Sequence, residues 1–121
     1  MKSLFSVAGK TVLITGGSRG IGAMLAEGFV RSGATVFISA RKAGELEDCR
    51  ARLAKLGDCR SLIADLSTTA GVQALVDAVA QHTDTLDVLI NNAGASWGAP
   101  LDQFPESGWD KVMNLNLKSL F

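Results

Sequence analysis

Between residues 10 and 32 a strand-like apolar run, Lys10 to Ile14, turns into a helix-like run, Ile21 to Ser32. The turn is Thr15-Gly16-Gly17-Ser18-Arg19-Gly20-Ile21-Gly22. A strand that feeds a helix through so few residues must place that helix over the sheet edge it has just left. Glycines permit the sharp turn, and no Cβ bars the approach of another group to the backbone. The helix N-terminus beyond carries unpaired N–H groups and a partial positive charge, a combination suited to a phosphate. The same glycines would also serve plain tight packing of strand against helix.

Strand and helix signals alternate along the rest of the chain. Thr11-Val12-Leu13-Ile14, Ala34-Thr35-Val36-Phe37-Ile38, Arg60 to Ala64 and Leu86 to Ile90 are short apolar runs, as expected of strands covered on both faces. The first helix is expected to bury a stripe of Ile21, Leu25, Gly28 and Phe29 and to stop at Gly33. The second carries Leu46, Cys49, Leu53 and Leu56 on one face and ends at Gly57. The third opens near Ser67-Thr68-Thr69 with Val72, Leu75, Val76 and Val79 inward. The last begins near Pro105-Glu106-Ser107 and sets Trp109, Val112, Met113, Leu117 and Leu120 on one stripe. Such alternation with short loops predicts an α/β fold, a doubly wound parallel sheet with helices on both faces.

Asn116 falls on the last of these stripes, one turn after Val112 and Met113. A buried amide without partners costs roughly 1–3 kcal/mol. The position therefore predicts a specific task, either a bond to neighbouring backbone or a part in the site. Asn114 points elsewhere on the same helix and is the weaker candidate.

Composition narrows the class of partner. The 121 residues hold 12 Lys plus Arg against 12 Asp plus Glu, a formal charge of zero. That argues against binding nucleic acid or a membrane surface by bulk electrostatics. No apolar stretch is of bilayer-spanning length, and Met1 to Ser6 lacks a signal-type apolar core. Cys49 and Cys59 are expected as reduced thiols of a cytoplasmic protein, and no Cys/His cluster suggests a metal. His82, alone at the end of a helical run, reads as a solvated surface histidine.

The spacing of the glycine turn is Gly16-x-x-x-Gly20-x-Gly22 after Thr15, not the common G-x-G-x-x-G. Asn91-Asn92-Ala93-Gly94 follows the fourth apolar run, Asp65-Leu66 closes the third, and Asn116 stands in Asn114-Leu115-Asn116-Leu117. In this order and spacing the four elements resemble the short-chain dehydrogenase/reductase family across essentially the whole chain. The resemblance implies a Rossmann-type sheet of strand order 3-2-1-4, the N-terminal half of a longer fold. Within the family, Ser18-Arg19-Gly20-Ile21-Gly22 with Arg41 is similar to 3-oxoacyl-acyl carrier protein reductases. The stretch from Gly94 to Lys111 resembles the rhamnolipid-pathway branch of that group.

The resemblance assigns roles residue by residue. Gly16, Gly20 and Gly22 would shape a phosphate loop, and Ser18, Arg19 and Ile21 would present donors to the nucleotide. Asp65 would accept from the adenine amino group with the Leu66 N–H nearby, although helix capping is an alternative for Asp65 that Ser67 or Thr68 could equally fill. Asn92, with Ala93 and Gly94, would line the adenosine-ribose side. Asn116 would hold a water in a proton relay, the one catalytic residue inside the chain. Trp97 would flank the substrate end or anchor its loop.

Cofactor choice follows from the end of the second strand. It reads Ser39-Ala40-Arg41-Lys42, with no acid to hold a ribose 2′-hydroxyl. Arg19 and Arg41 would instead meet a 2′-phosphate, which implies NADP(H). The chain has no tyrosine, and the family's Tyr-x-x-x-Lys pair is expected beyond Phe121. Residues 1–121 are therefore expected to be the dinucleotide-binding part of a longer carbonyl reductase, inactive by themselves. The parent would act on a small-molecule or acyl-carrier-bound ketone and form a dimer or tetramer. A non-catalytic NADP sensor on the same fold is the rival expectation.

Overall fold

The computed structural model describes residues 4–95 and 98–121. Four strands, β1 (Thr11–Thr15), β2 (Thr35–Ala40), β3 (Cys59–Ile63) and β4 (Val88–Ile90), alternate with helices α1 (Gly20–Arg31), α2 (Ala43–Ala54), α3 (Thr69–His82) and α4 (Glu106–Asn116). Short 3-10 turns at Leu101–Gln103 and Lys118–Leu120 flank α4. All pairings are parallel and the order is β3-β2-β1-β4. This is the Rossmann-type half-sheet expected from the sequence.

The register explains why the strand sequences are apolar throughout. Val12 pairs with Val36 on one side and Val88 on the other, and the period of two sends neighbours to opposite faces. On one face Val12, Ile14, Val36 and Ile38 pack with Ala26 and Val30 of α1 and Leu46 and Leu53 of α2. On the other, Leu13 and Phe37 pack with Leu66 and with Leu75 and Val79 of α3, while Leu115 of α4 touches the cluster. Both cysteines are free and buried, and burial pushes the Cys59 thiol up to about 11.

Several helix stripes differ from the periodicity reading. In α1 the buried residues are Gly22, Ala23, Ala26 and Val30, whereas Ile21 is 70% exposed and Leu25 and Gly28 also lie outward. Only Phe29 of the expected stripe packs against the core. Small side chains let α1 approach the sheet closely, so the inward face is the one with the least bulk, not the most. In α2 the expected Leu46, Cys49 and Leu53 are buried, but Leu56 lies beyond the helix and is exposed. In α3 Val76 is likewise exposed. On α4, Val112 and Met113 are half-buried but Trp109 is exposed, and Leu117 and Leu120 lie beyond the helix, also exposed. Asn116 is exposed too, so its placement within a buried stripe is not borne out.

Candidate functional site

The carboxyl ends of the parallel strands open onto a cleft of about 970 Å³. Its floor is the glycine turn after β1, and its walls are the segments after β2, β3 and β4 with one side of α4. A site at this edge is where open parallel sheets bind ligands.

Three neighbours hold the glycine turn from behind. The N–H groups of Gly16 and Gly17 donate to the Ser39 carbonyl at 2.9 and 3.2 Å. The Cys49 thiol, on α2, donates to the Gly17 carbonyl at 3.5 Å. The Asn92 side-chain amide donates to the Gly16 carbonyl at 3.1 Å. Gly16 has φ +69°, a left-handed conformation that disfavours any side chain. At Gly22 the reason for glycine is space: an added Cβ would lie 2.3 Å from the Gly16 carbonyl oxygen and 2.6 Å from the Asn92 Nδ2. The first turn of α1 therefore rests directly on the loop backbone.

Thr15 joins the two motifs, a role signalled in the sequence only by a polar residue ending an apolar strand. Its hydroxyl is buried between β1 and β4. It accepts from the N–H groups of Asn92 and Ala93 at 3.0 and 3.1 Å and donates to the Ile90 carbonyl at 3.4 Å. The segment Asn92-Ala93-Gly94 is thereby set against the glycine turn, and all three residues line the cleft.

On the opposite wall, one carboxylate oxygen of Asp65 accepts from the Ser67 hydroxyl at 2.6 Å and the Ser67 N–H at 3.0 Å. These bonds, the hydroxyl's foremost, hold the Asp65 carboxyl below its usual range, and the Arg41 charge adds to the effect. Capping of α3 falls to Thr68, whose hydroxyl accepts from the Gly71 N–H at 3.0 Å. Asp65 is thus not the helix cap.

Of the residues expected at the site, Gly16, Ser18, Arg19, Gly20, Arg41, Asp65, Leu66, Asn92, Ala93 and Gly94 line this one cleft. Three do not. Ile21 faces outward, Gly22 supports the loop from beneath, and Asn116 grips the chain after Gly94. The Asn116 carboxamide accepts from the Ala95 N–H at 2.7 Å and donates to the Ala95 carbonyl at 2.8 Å. Asn114, the weaker candidate by sequence, is the α4 asparagine that lines the cleft. It is joined by residues the sequence reading passed over: Lys42, Glu45, Ser107, Asp110 and Lys111. The 3.6-residue period connects Ser107, Asp110, Lys111 and Asn114 on one helix face, a polar stripe that could have signalled the cleft wall. Trp97 lies outside the described residues.

Among the described residues no group of three or more His, Cys, Asp or Glu could hold a metal, and no helix is long and apolar enough to cross a membrane. The cleft is instead suited to an extended, partly anionic ligand, with a glycine-lined floor, cations at one end and an acceptor on the far wall.

Comparison with known proteins gives the same direction. The profile described as short chain dehydrogenase matches residues 10–121. The rhamnolipids biosynthesis 3-oxoacyl-[acyl-carrier-protein] reductase of Pseudomonas aeruginosa is 51% identical over the whole chain, which covers 47% of that protein. The solved Pseudomonas aeruginosa RhlG/NADP active-site complex superposes with a TM-score of 0.94 at 51% identity, covering 100% of this chain and 47% of the other. L-sorbose reductase from Gluconobacter frateurii, solved with NADPH and L-sorbose, matches at 30% identity and TM-score 0.90, over 95% of this chain and 44% of that one. The chain spans about half the length of the curated relatives it matches.

Proposed function

The chain belongs to the short chain dehydrogenase family, and from that premise we propose that it is the NADP-binding portion of an NADPH-dependent carbonyl reductase. The observation that carries the reading is the end of β2. Ser39-Ala40-Arg41 brings no acid to the cleft, and Arg41 lines it together with Arg19 from the glycine turn. A carboxylate there would repel a ribose 2′-phosphate, whereas guanidinium groups pair with it through charge-assisted bonds.

The residues present fit the cofactor. The glycine turn presents Gly16, Ser18, Arg19 and Gly20 to the cleft at the start of α1, where free backbone N–H groups suit a pyrophosphate. In this reading Ser18, Gly20 and Ile21 shape and flank the phosphate loop, and Asp65 and Leu66 receive the adenine edge. Asn92, Ala93 and Gly94 border the adenosine ribose. Reduced nicotinamide, when bound, supplies a hydride to a ketone carbon. This chain's own contribution is to orient the nucleotide and to hold the loop after Gly94 through Asn116. From that place Asn116 would also steady a water of the proton relay. The acid that protonates the ketone oxygen is a tyrosine of a Tyr-x-x-x-Lys segment in the remainder of the parent. Residues 1–121 are then the first part of one dinucleotide-binding domain.

The 51% identity to a 3-oxoacyl-acyl carrier protein reductase supports a 3-oxoacyl thioester as substrate. We assign the parent to the cytoplasm as a dimer or tetramer. The rival reading, an NADP sensor without chemistry, is separated by assay. In the full-length protein, kcat/KM should favour NADPH over NADH by tens-fold, because two charge-assisted contacts are worth roughly 1.5–3 kcal/mol each before screening. Arg41→Asp should reverse the order. Equal kcat/KM for the two cofactors would overturn the assignment, and NADPH binding without ketone turnover would favour the sensor.

A further inference from the structure

Helix N-termini usually begin on Ser, Thr, Asp or Asn, whose side-chain oxygen accepts from the first free N–H groups. Helix α3 follows the rule with Thr68. Helix α4 starts uncapped on Pro105, outside the cleft lining. Helices α1 and α2 depart from the rule differently, with a cation at the start. They begin on Arg19 and Lys42, in extended backbone and with no side-chain capping bond. A cation there offers no acceptor and sits at the positive end of the helix dipole. Among the described residues neither Arg19 nor Lys42 belongs to an ion pair. Both line the same cleft, with Arg41 beside Lys42. Local rules broken together at one site indicate that the site, not the helix, selects these side chains.

We propose that Lys42 is a third specificity-determining cation for the ribose 2′-phosphate, acting beside Arg41 at the end of β2. The inference rests on the NADP reading given above. A phosphate monoester there would carry close to two negative charges, enough to meet more than one cation. Glu45, in the first turn of α2, lines the cleft too and sets an opposing charge near the same corner. Lys42 therefore has two effects at once: it attracts the phosphate and offsets Glu45. Its exposed ammonium is a point charge on a flexible stem, so its contribution should depend strongly on salt, unlike a shape-specific contact.

The test is titration of the full-length protein with NADPH and with NADH, followed by nicotinamide fluorescence at several salt concentrations. Lys42→Gln should lower the NADPH/NADH affinity ratio roughly three- to tenfold and flatten the salt dependence of NADPH binding. Lys42→Arg should retain the ratio, which also shows that the fold tolerates substitution there. If Lys42→Gln leaves the ratio and the salt slope unchanged while Arg41→Gln collapses the ratio, Lys42 has no such role and the NADP reading stands. If the unmodified protein shows no preference for NADPH, both fall.

Discussion

Thr15 shows how one buried hydroxyl can align two motifs separated by more than seventy residues. Its oxygen serves Asn92 and Ala93 as acceptor and Ile90 as donor, so valine, of nearly the same shape, would leave two backbone N–H groups without their partner. Thr15→Val should lower stability by roughly 1–3 kcal/mol, read from the urea midpoint, and weaken NADPH binding, while Thr15→Ser should retain most of both. A valine variant as stable as the parent would mean that these bonds are replaced by water. The α4 asparagines carry a related lesson. Their relative importance could not be ranked from helical phase, because the helix meets the cleft along Ser107, Asp110, Lys111 and Asn114. Asn116, one face over, spends both amide groups on Ala95.

At the scale of elements, α1 is the informative one. Its inward residues are Gly22, Ala23, Ala26 and Val30, so its distance from the sheet is set by small side chains. Gly22→Ala would force a methyl group into the Gly16 carbonyl, where backbone must shift to receive it. Overpacking of this kind costs about 1–3 kcal/mol, and it should open the glycine turn and reduce nucleotide affinity as well. Gly28, on the same helix, has nothing within 4 Å of a would-be Cβ and no strained backbone. Gly28→Ala should therefore stabilise by about 0.8–1 kcal/mol, the helix propensity difference. Chemical denaturation of the pair checks both signs, and loss of stability at Gly28 would show that the outer face of α1 is in contact with something.

Across the whole molecule, large apolar side chains stay exposed at both edges of the sheet and on its helices: Ile63 of edge strand β3 is 66% exposed, Leu89 of the three-residue edge strand β4 is 51% exposed, and Ile21 and Met24 lie bare on the outer face of α1. On the opposite face, Leu75, Val76, Leu86, Leu89, Leu120 and Phe121 border an apolar hollow of about 410 Å³. The shortness of β4 limits edge pairing, but no charge lies within the strand to discourage it, and Asp87 only adjoins. Apolar area on this scale favours association. The 121-residue polypeptide prepared alone is expected to sediment as a mixture of oligomers, with weak near-UV circular dichroism. A monodisperse monomer with a sharp thermal transition would show that the half-sheet is self-sufficient.

The parallel α/β architecture, the strand order implied by the motifs, and ten of the residues that line the cleft were legible in the amino-acid sequence. Those properties depend on local chemistry: apolar runs of strand length, glycines where the backbone must turn, and motif residues held at strand ends by chain connectivity. The inward faces of α1 and α4 were decided only by tertiary structure, because periodicity measures hydrophobicity and close packing also selects for small size. The same holds for the roles of Thr15, Lys42, Asn114 and Asn116. Whether a polar side chain meets the cleft, the backbone or solvent depends on which elements arrive opposite it, and those lie up to eighty residues away along the chain.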